Sequence, residues 1–335
     1  MTFQSEKLNK VKNYIKEANQ IVIVAHKSPD GDSVGSSVGL YHYLLKLKKN
    51  VTICHPDPAP YFLKWMKGTE TILNALEHTD LLKEKVAQAD LIFCLDFNNL
   101  SRTGEMESFL QKSNAKKVMI DHHLNPSNEF DVVFSETSSC STAQLIIDFI
   151  EAMGDTQLLD KTIGEALYCG IMTDSGSFRF PSVSAHTHEV VATLLKAGLQ
   201  PYIVHEAVYD TNTFDKLQLH SFAISERTEV VEEFNTIIIH LTKEDLERFN
   251  YVKGDAEGLV NVGLSVQGIR KSIFLMEHDG IIKISFRSKG EDNPVNEMAS
   301  NYFQGGGHAN ASGGRWIGKM EDAINKVKNV LPEFS

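Results

Sequence analysis

The strongest constraint on this chain's fold is a rhythm of short apolar runs: IVIVA (21–25), VTIC (51–54), LIFCLD (91–96) and KVMID (117–121). Runs so short, apolar at successive positions and separated by helix-like stretches, suit strands buried on both faces. Such strands build a parallel sheet with helices on both sides. SVGSSVGLYHYLLKLKK (33–49) and the stretch around 104–112 supply intervening helices. CSTAQLIIDFIEAMG (140–154), KTIGEALYCGIMTDSG (161–176) and HTHEVVATLLKAG (186–198) continue helical, the last stopped by Gly198 and followed by Pro201. From about residue 228 the pattern changes to RTEVVEEFNTIIIHL and IRKSIFLMEHDGIIKISFRS, the second a hairpin turning at Asp279 and Gly280. The expected architecture is an α/β domain over 1–209, a helical connector over 210–227, and a smaller α+β domain over 228–335.

In an open parallel sheet the carboxyl ends of the strands share one edge, where such folds place their ligands. The first run leads into AHKSPDGDSVGSS, with His26, Asp30 and Asp32. Taken alone, that is a turn with Asp32 or Ser33 as a helix cap. The third run ends in Asp96 and the fourth in Asp121, His122 and His123, while Asp174 closes GIMTDSGSF. Four aspartates brought together repel unless some take protons, whereas two divalent ions match their charge. Imidazole and carboxylate without thiolate suit manganese, iron or magnesium better than structural zinc. Two ions sharing a carboxylate can polarise a phosphoryl group, so the chemistry expected is hydrolysis of a phosphate ester.

Composition narrows the partners. The formal charge of −11 over 335 residues argues against a protein that coats long nucleic acid, whose affinity comes from Lys and Arg on phosphates. No apolar run approaches the ~20 residues of a membrane helix, and MTFQSEKLNK lacks the layout of a signal peptide, so a cytoplasmic location is expected. Cys54, Cys94, Cys140 and Cys169 form no CxxC pair, which supports neither a disulfide framework nor a zinc knuckle.

Further on, NPVNEMASNYFQGGGHANASGGRW is expected to place a helix over 293–303 before a loop containing Gly305, Gly306, Gly307, Gly313 and Gly314. Consecutive glycines can turn successive backbone N–H groups toward an anion, which marks this segment for phosphate. His308 can hydrogen-bond a phosphate or base, and Arg287 in ISFRSKG offers a planar fork. Arg102 in SRTG serves either as a substrate contact or as a helix cap or surface ion pair. His186 and His188 read as cap or solvent residues, and Tyr168, Phe178 and Phe180 as core or cleft wall.

HKSPDGDSVGS, LDFNNLSRTG, IDHHLNP and GIMTDSGSFRF stand in the order of the four motifs of the DHH phosphoesterase family, which the chain resembles. GGGHANASGG (305–314) is similar to the glycine-rich motif of the DHH-associated C-terminal domain. The resemblance implies one metal ion on His26, Asp30 and Asp96 and a second on Asp32, Asp96, His122 and Asp174, with Asp96 as the bridge. It implies that His123 faces the substrate, that Asp121 orients a histidine, and that Arg287 holds the substrate's terminal phosphate, the two domains forming a cleft. The two ions are expected to be manganese, with magnesium or another divalent ion as alternatives.

Within the family, length and domain content resemble the bacterial oligoribonuclease (nanoRNase) and 3′-phosphoadenosine 5′-phosphate (pAp) phosphatase subgroup. Short RNA oligonucleotides and pAp are therefore the expected substrates. The alternative is a phosphodiesterase for cyclic di-AMP or linear pApA. A non-catalytic nucleotide-binding module is the reading from another class, since similar glycine-rich domains occur in alanyl-tRNA synthetases. A homodimer is common among similar proteins.

Overall fold

The computed structural model describes residues 3–278 and 280–334, so Asp279 of the expected DG turn lies outside the described residues. Internal contacts divide the chain after Thr211 into two compact units. No helix among the described residues is long and apolar enough to cross a membrane.

The first unit holds strands β1 (Ile21–Val24), β2 (Val51–His55), β3 (Leu73–Asn74), β4 (Leu91–Leu95), β5 (Lys116–Asp121) and β6 (Val132–Ser135). Its helices are α1 (Ser5–Glu17), α2 (Gly31–Lys46), α3 (Ala75–Gln88), α4 (Glu107–Lys112), α5 (Thr142–Met153), α6 (Lys161–Asp174), α7 (Ala185–Lys196) and α8 (Pro201–Tyr209). All strand pairs are parallel, in the order β3-β2-β1-β4-β5-β6. The four apolar runs are the four central strands, and each is buried on both sides. Ile21, Ile23, Phe93 and Ile120 face a core shared with α2, α5 and α6, whereas Val22, Val24, Ile92 and Met119 face α3 and α4. That alternation is the period of two of a pleated strand. Chain order reverses between β1 and β4, the switch point at whose carboxyl edge open sheets of this kind place their ligands.

Helices α2 and α6 approach unusually closely. Gly31, Gly35 and Gly39 recur every fourth residue along α2. A Cβ at Gly35 would lie 2.5 Å from the Ala166 carbonyl oxygen, and one at Gly39 2.4 Å from Leu167 Cδ2. Only glycine lets the helix backbones meet there. The contact brings the N-terminus of α2 to the C-terminus of α6.

The second unit contains α9 (Phe214–Glu226), β7 (Thr228–Val231), β8 (Thr236–Leu241), α10 (Lys243–Arg248), α11 (Leu259–Leu264), β9 (Lys271–His278), β10 (Ile281–Ser288), α12 (Asn296–Tyr302), β11 (Gly306–His308), β12 (Ala311–Trp316) and α13 (Met320–Val330). Its mixed sheet runs β11-β12-β10-β9-β8-β7 and is antiparallel except for β8 with β9. Helix α9, within the segment read above as the connector, buries Leu219 and Ala223 with Ile237, Ile239 and Phe274.

The glycine-rich segment differs from the expected loop. Gly306–His308 and Ala311–Trp316 pair as a hairpin, with Gly306 opposite Gly313 and His308 opposite Ala311. Sterics explain two of the glycines. A Cβ at Gly305 would sit 1.9 Å from the Gly313 carbonyl oxygen, and one at Gly314 2.8 Å from Phe303 Cβ. Gly307 does adopt a positive φ of 144°.

Candidate metal centre

At the end of β1 the chain passes His26 and turns into α2, whose N-cap is Asp30 rather than Asp32 or Ser33. Asp30 Oδ1 accepts from the Asp32 and Ser33 amides at 3.1 and 3.0 Å, and Ser33 Oγ accepts from the Asp30 amide at 2.9 Å. This reciprocal box fixes the helix start. Asp32, one turn residue further, is buried and points at the start of α5: its Oδ2 accepts from the Thr142 amide at 2.6 Å and its Oδ1 from the Ala143 amide at 2.8 Å. A Cβ at Gly170 of α6 would come within 2.8 Å of Asp32 Oδ1, so that glycine makes room for the carboxylate.

Asp96 follows β4 in a left-handed conformation, φ 63°, which costs an aspartate about 1–3 kcal/mol and persists where surrounding contacts over-determine it. Its amide donates to the Ile120 carbonyl at 3.2 Å, and its Oδ1 accepts from Thr142 Oγ1 at 3.0 Å. Around this buried carboxylate stand three histidines. His26 Nε2 is 3.3 Å from Asp96 Oδ2 and 3.8 Å from Asp30 Oδ1. His122 Nε2 is 3.6 Å from Asp96 Oδ1 and 3.5 Å from Asp174 Oδ2. His123 turns its Nδ1 to Asp121 Oδ1 at 2.7 Å, with Asp96 Oδ1 at 3.8 Å. Backbone carbonyls orient two of the rings: Nδ1 of His26 lies 2.9 Å from the Lys27 oxygen and Nδ1 of His122 lies 3.3 Å from the Ser139 oxygen. Each then presents Nε2 to the carboxylates, as metal-ligating imidazoles do.

Three interlocking groups have ligand atoms within 4.8 Å of one another: His26, Asp30 and Asp96; Asp32, His122 and Asp174; and Asp96, His122 and His123. All six residues expected as ligands thus converge, and Asp96 stands in two of the groups. Their electrostatics calls for a cation. Burial, then the charges of Asp96, Asp174 and Asp30, hold the Asp32 carboxyl well above the usual range. Burial also lifts Asp174 to about 7, aided by Asp96 and Asp30 and opposed by His122. Burial works to lower His26 and His123, yet both are raised, His26 by Asp30 and Asp96 and His123 by Asp121 and Asp96. Among the described residues no lysine or arginine pairs with Asp32, Asp96 or Asp174; they meet only histidines, hydroxyl and amide donors. A donor set of crowded carboxylates and imidazoles without thiolate fits a divalent metal site.

The remaining expected residues fall into two places. Exposed Arg102 lies beside the cluster: its carbonyl accepts from the Lys27 amide at 2.8 Å, and its charge works against protonation of His123. In the second unit, pairing aligns His308 with Ala311 and Ala311 with Arg287, which puts the arginine and histidine on one face of the sheet, next to the Gly306 and Gly313 pair. Arg287 Nη1 donates to the Phe286 carbonyl at 2.9 Å. Gly305 precedes that edge, and Gly307 faces the other side. His186 pairs with Asp148 at 2.8 Å and His188 stacks on Phe178, while Ser184 rather than either histidine caps α7.

Sequence reading missed the start of α5, where Ser139, Thr142 and Ala143 orient His122, Asp96 and Asp32. Its signal was present as the hydroxyl-rich SSCST (138–142) before an apolar helix. Nothing in that stretch announces which carboxylates it will meet.

A parallel sheet whose carboxyl edge gathers interlocked aspartates and histidines defines a metal-dependent phosphoesterase architecture. The model of the DHH family, N-terminal domain, matches residues 20–171, and the chain belongs to the DHH family of phosphoesterases. Among relatives, the chain is similar to the bifunctional oligoribonuclease and PAP phosphatase NrnA of Bacillus subtilis, 27% identical over 88% of each chain. It is also similar to the cyclic-di-AMP phosphodiesterase PdeA of Listeria monocytogenes, 26% identical over 88% of this chain and 44% of that one. The crystal structure of an exopolyphosphatase-related protein from Bacteroides fragilis superposes with a TM-score of 0.96 at 38% identity, covering 99% of this chain and 97% of that one.

Proposed function

We propose that the chain is a two-metal phosphoesterase that releases mononucleotides from short oligoribonucleotides and removes the 3′-phosphate of pAp. The observation that carries the reading is Asp96, whose two oxygens face different histidines: Oδ2 faces His26 and Oδ1 faces His122. One ion would rest on His26, Asp30 and Asp96, and the other on Asp32, Asp96, His122 and Asp174. Manganese is the ion proposed, on a donor set of four carboxylates and two imidazoles without thiolate. When bound, two such ions neutralise a phosphoryl group's charge and make a water more acidic.

The chain's own residues supply the rest. Asp121 accepts from His123 Nδ1 and holds the imidazole in one orientation, with its charge favouring the protonated ring. His123 then donates a proton to the departing ester oxygen as the P–O bond breaks. Arg102 is assigned to the substrate near the cluster. In the C-terminal domain, Arg287, His308 and the glycines from 305 to 307 are assigned to a substrate phosphate.

Similarity to NrnA over nearly the whole of both chains supports short RNA and pAp as substrates. Similarity to PdeA supports a second reading, hydrolysis of cyclic di-AMP or of pApA. We place the enzyme in the cytoplasm, as a homodimer with little affinity for long DNA, the last in keeping with the charge of −11. The domain roles follow: residues 1–209 for catalysis, 210–227 as connector and 228–335 for substrate. The direct test is Asp96→Ala assayed on pAp with saturating manganese. Turnover should fall to background, and near-normal turnover would overturn the bridging role.

A further inference from the structure

Thr142 is the first residue of α5, wholly buried, and it makes two separate contacts with the carboxylate cluster. Its amide donates to Asp32 Oδ2 at 2.6 Å, and its hydroxyl donates to Asp96 Oδ1 at 3.0 Å. Asp32 and Asp96 come from different segments, one at the start of α2 and the other at the end of β4, with no direct bond between them. A single residue therefore ties both to a third element. The oxygen it reaches on Asp96 is the one beside His122, not the one beside His26.

We infer that Thr142 is a positioning residue for the metal centre: its hydroxyl fixes the rotation of the Asp96 carboxylate and so creates the site formed by Asp32, Asp96, His122 and Asp174. The inference rests on the two-ion reading above. An aspartate carboxyl turns freely about its last bond, a broad two-fold torsion. One directed hydrogen bond to Oδ1 occupies one of that oxygen's lone pairs and leaves another for an ion, while Oδ2 stays toward His26. The Asp96 backbone is itself left-handed, so the side chain starts from an unusual direction and depends on an external anchor. Ser141 caps the helix through the Gln144 amide at 3.1 Å, which leaves Thr142's hydroxyl to serve Asp96 rather than the helix. Outer hydrogen bonds of this kind typically govern metal affinity by about 10–100-fold.

Thr142→Val tests this cleanly, because valine keeps the shape, the backbone amide and its bond to Asp32, and deletes only the hydroxyl. Thr142→Ser restores the hydroxyl. Manganese binding to the chelated full-length protein is followed by calorimetric titration, and the spin coupling between paired ions by electron paramagnetic resonance, with thermal melts of the metal-free forms alongside. The wild type should bind two ions per chain with a coupled signal. Thr142→Val should keep one ion at wild-type affinity, lose about 10–100-fold at the other and lose the coupled signal, and Thr142→Ser should recover both. Two wild-type sites in the valine variant would overturn the inference. So would equal weakening of both sites, or a serine variant as defective as the valine. If the wild type itself binds fewer than two ions, the two-ion reading fails and takes the inference with it, an outcome distinct from a wild type with two sites that the valine leaves unchanged.

Discussion

His122 and His123 are neighbours in sequence and part company in what holds them. His122 leans on the Ser139 carbonyl and turns toward Asp96 and Asp174, whereas His123 is bonded to Asp121. His122→Ala should therefore weaken manganese binding, read by titration, together with activity. His123→Ala should leave the stoichiometry intact and lower kcat by about 10²–10⁴, the range for a lost general acid. A His123 variant that loses metal would contradict the split. Protonation offers a second test at this scale. Asp174 titrates at about 7 in the folded metal-free protein against an ordinary 3.8, so between those values the folded chain holds a proton that the unfolded chain has released. Stability must then fall as pH rises through that window, and the raised His26 and His123 contribute with the same sign. The melting temperature of the chelated protein should drop between about pH 4 and pH 7, and added manganese should reverse the trend. A chelated protein that gains stability over that range would contradict the crowded-carboxylate account.

Among the elements, the crossing of α2 and α6 sets the reach of the centre. Gly35→Ala would press a methyl group into the Ala166 carbonyl and force the helices apart. A loss of about 1–3 kcal/mol is expected by denaturant unfolding, with weaker metal binding because Asp32 and Asp174 separate. An unchanged unfolding midpoint would show that the crossing has slack. This is also the scale at which legibility in the sequence divides. The four central strands could be read, because doubly buried strands are apolar throughout, and parallel pairing marked the aspartates and histidines at their ends as candidates. The choice of six as expected ligands, Asp174 at the end of a helix among them, came from the family resemblance. Strand β3, two residues long, and β6, only half-buried in alternate positions, carry too little apolar signal. The glycines of β11 and β12 read as a loop because glycine marks both turns and close packing, and only the nearness of Phe303 and of Gly313 decides between them. The start of α5 could not be read as part of the site, because the carboxylates that the Thr142 hydroxyl and amide meet lie 46 and 110 residues away.

For the molecule as a whole, the proposed activity joins a metal unit to a unit whose arginine, histidine and glycines share one sheet face. Arg287→Ala should raise KM for pAp while leaving manganese binding to the other unit unchanged, since the contact proposed for it is with a substrate phosphate. Equal loss in kcat with KM unaltered would place Arg287 elsewhere in the reaction. The central claim, a metal-dependent hydrolase for short ribonucleotide phosphates, is tested most directly by offering the purified chain pAp, RNAs of graded length, cyclic di-AMP, pApA and pyrophosphate, each with manganese and with chelator. Turnover of pAp and the shortest RNAs, falling with length and abolished by chelation, is the result expected. Preference for cyclic di-AMP or pyrophosphate, or turnover that survives chelation, would contradict it.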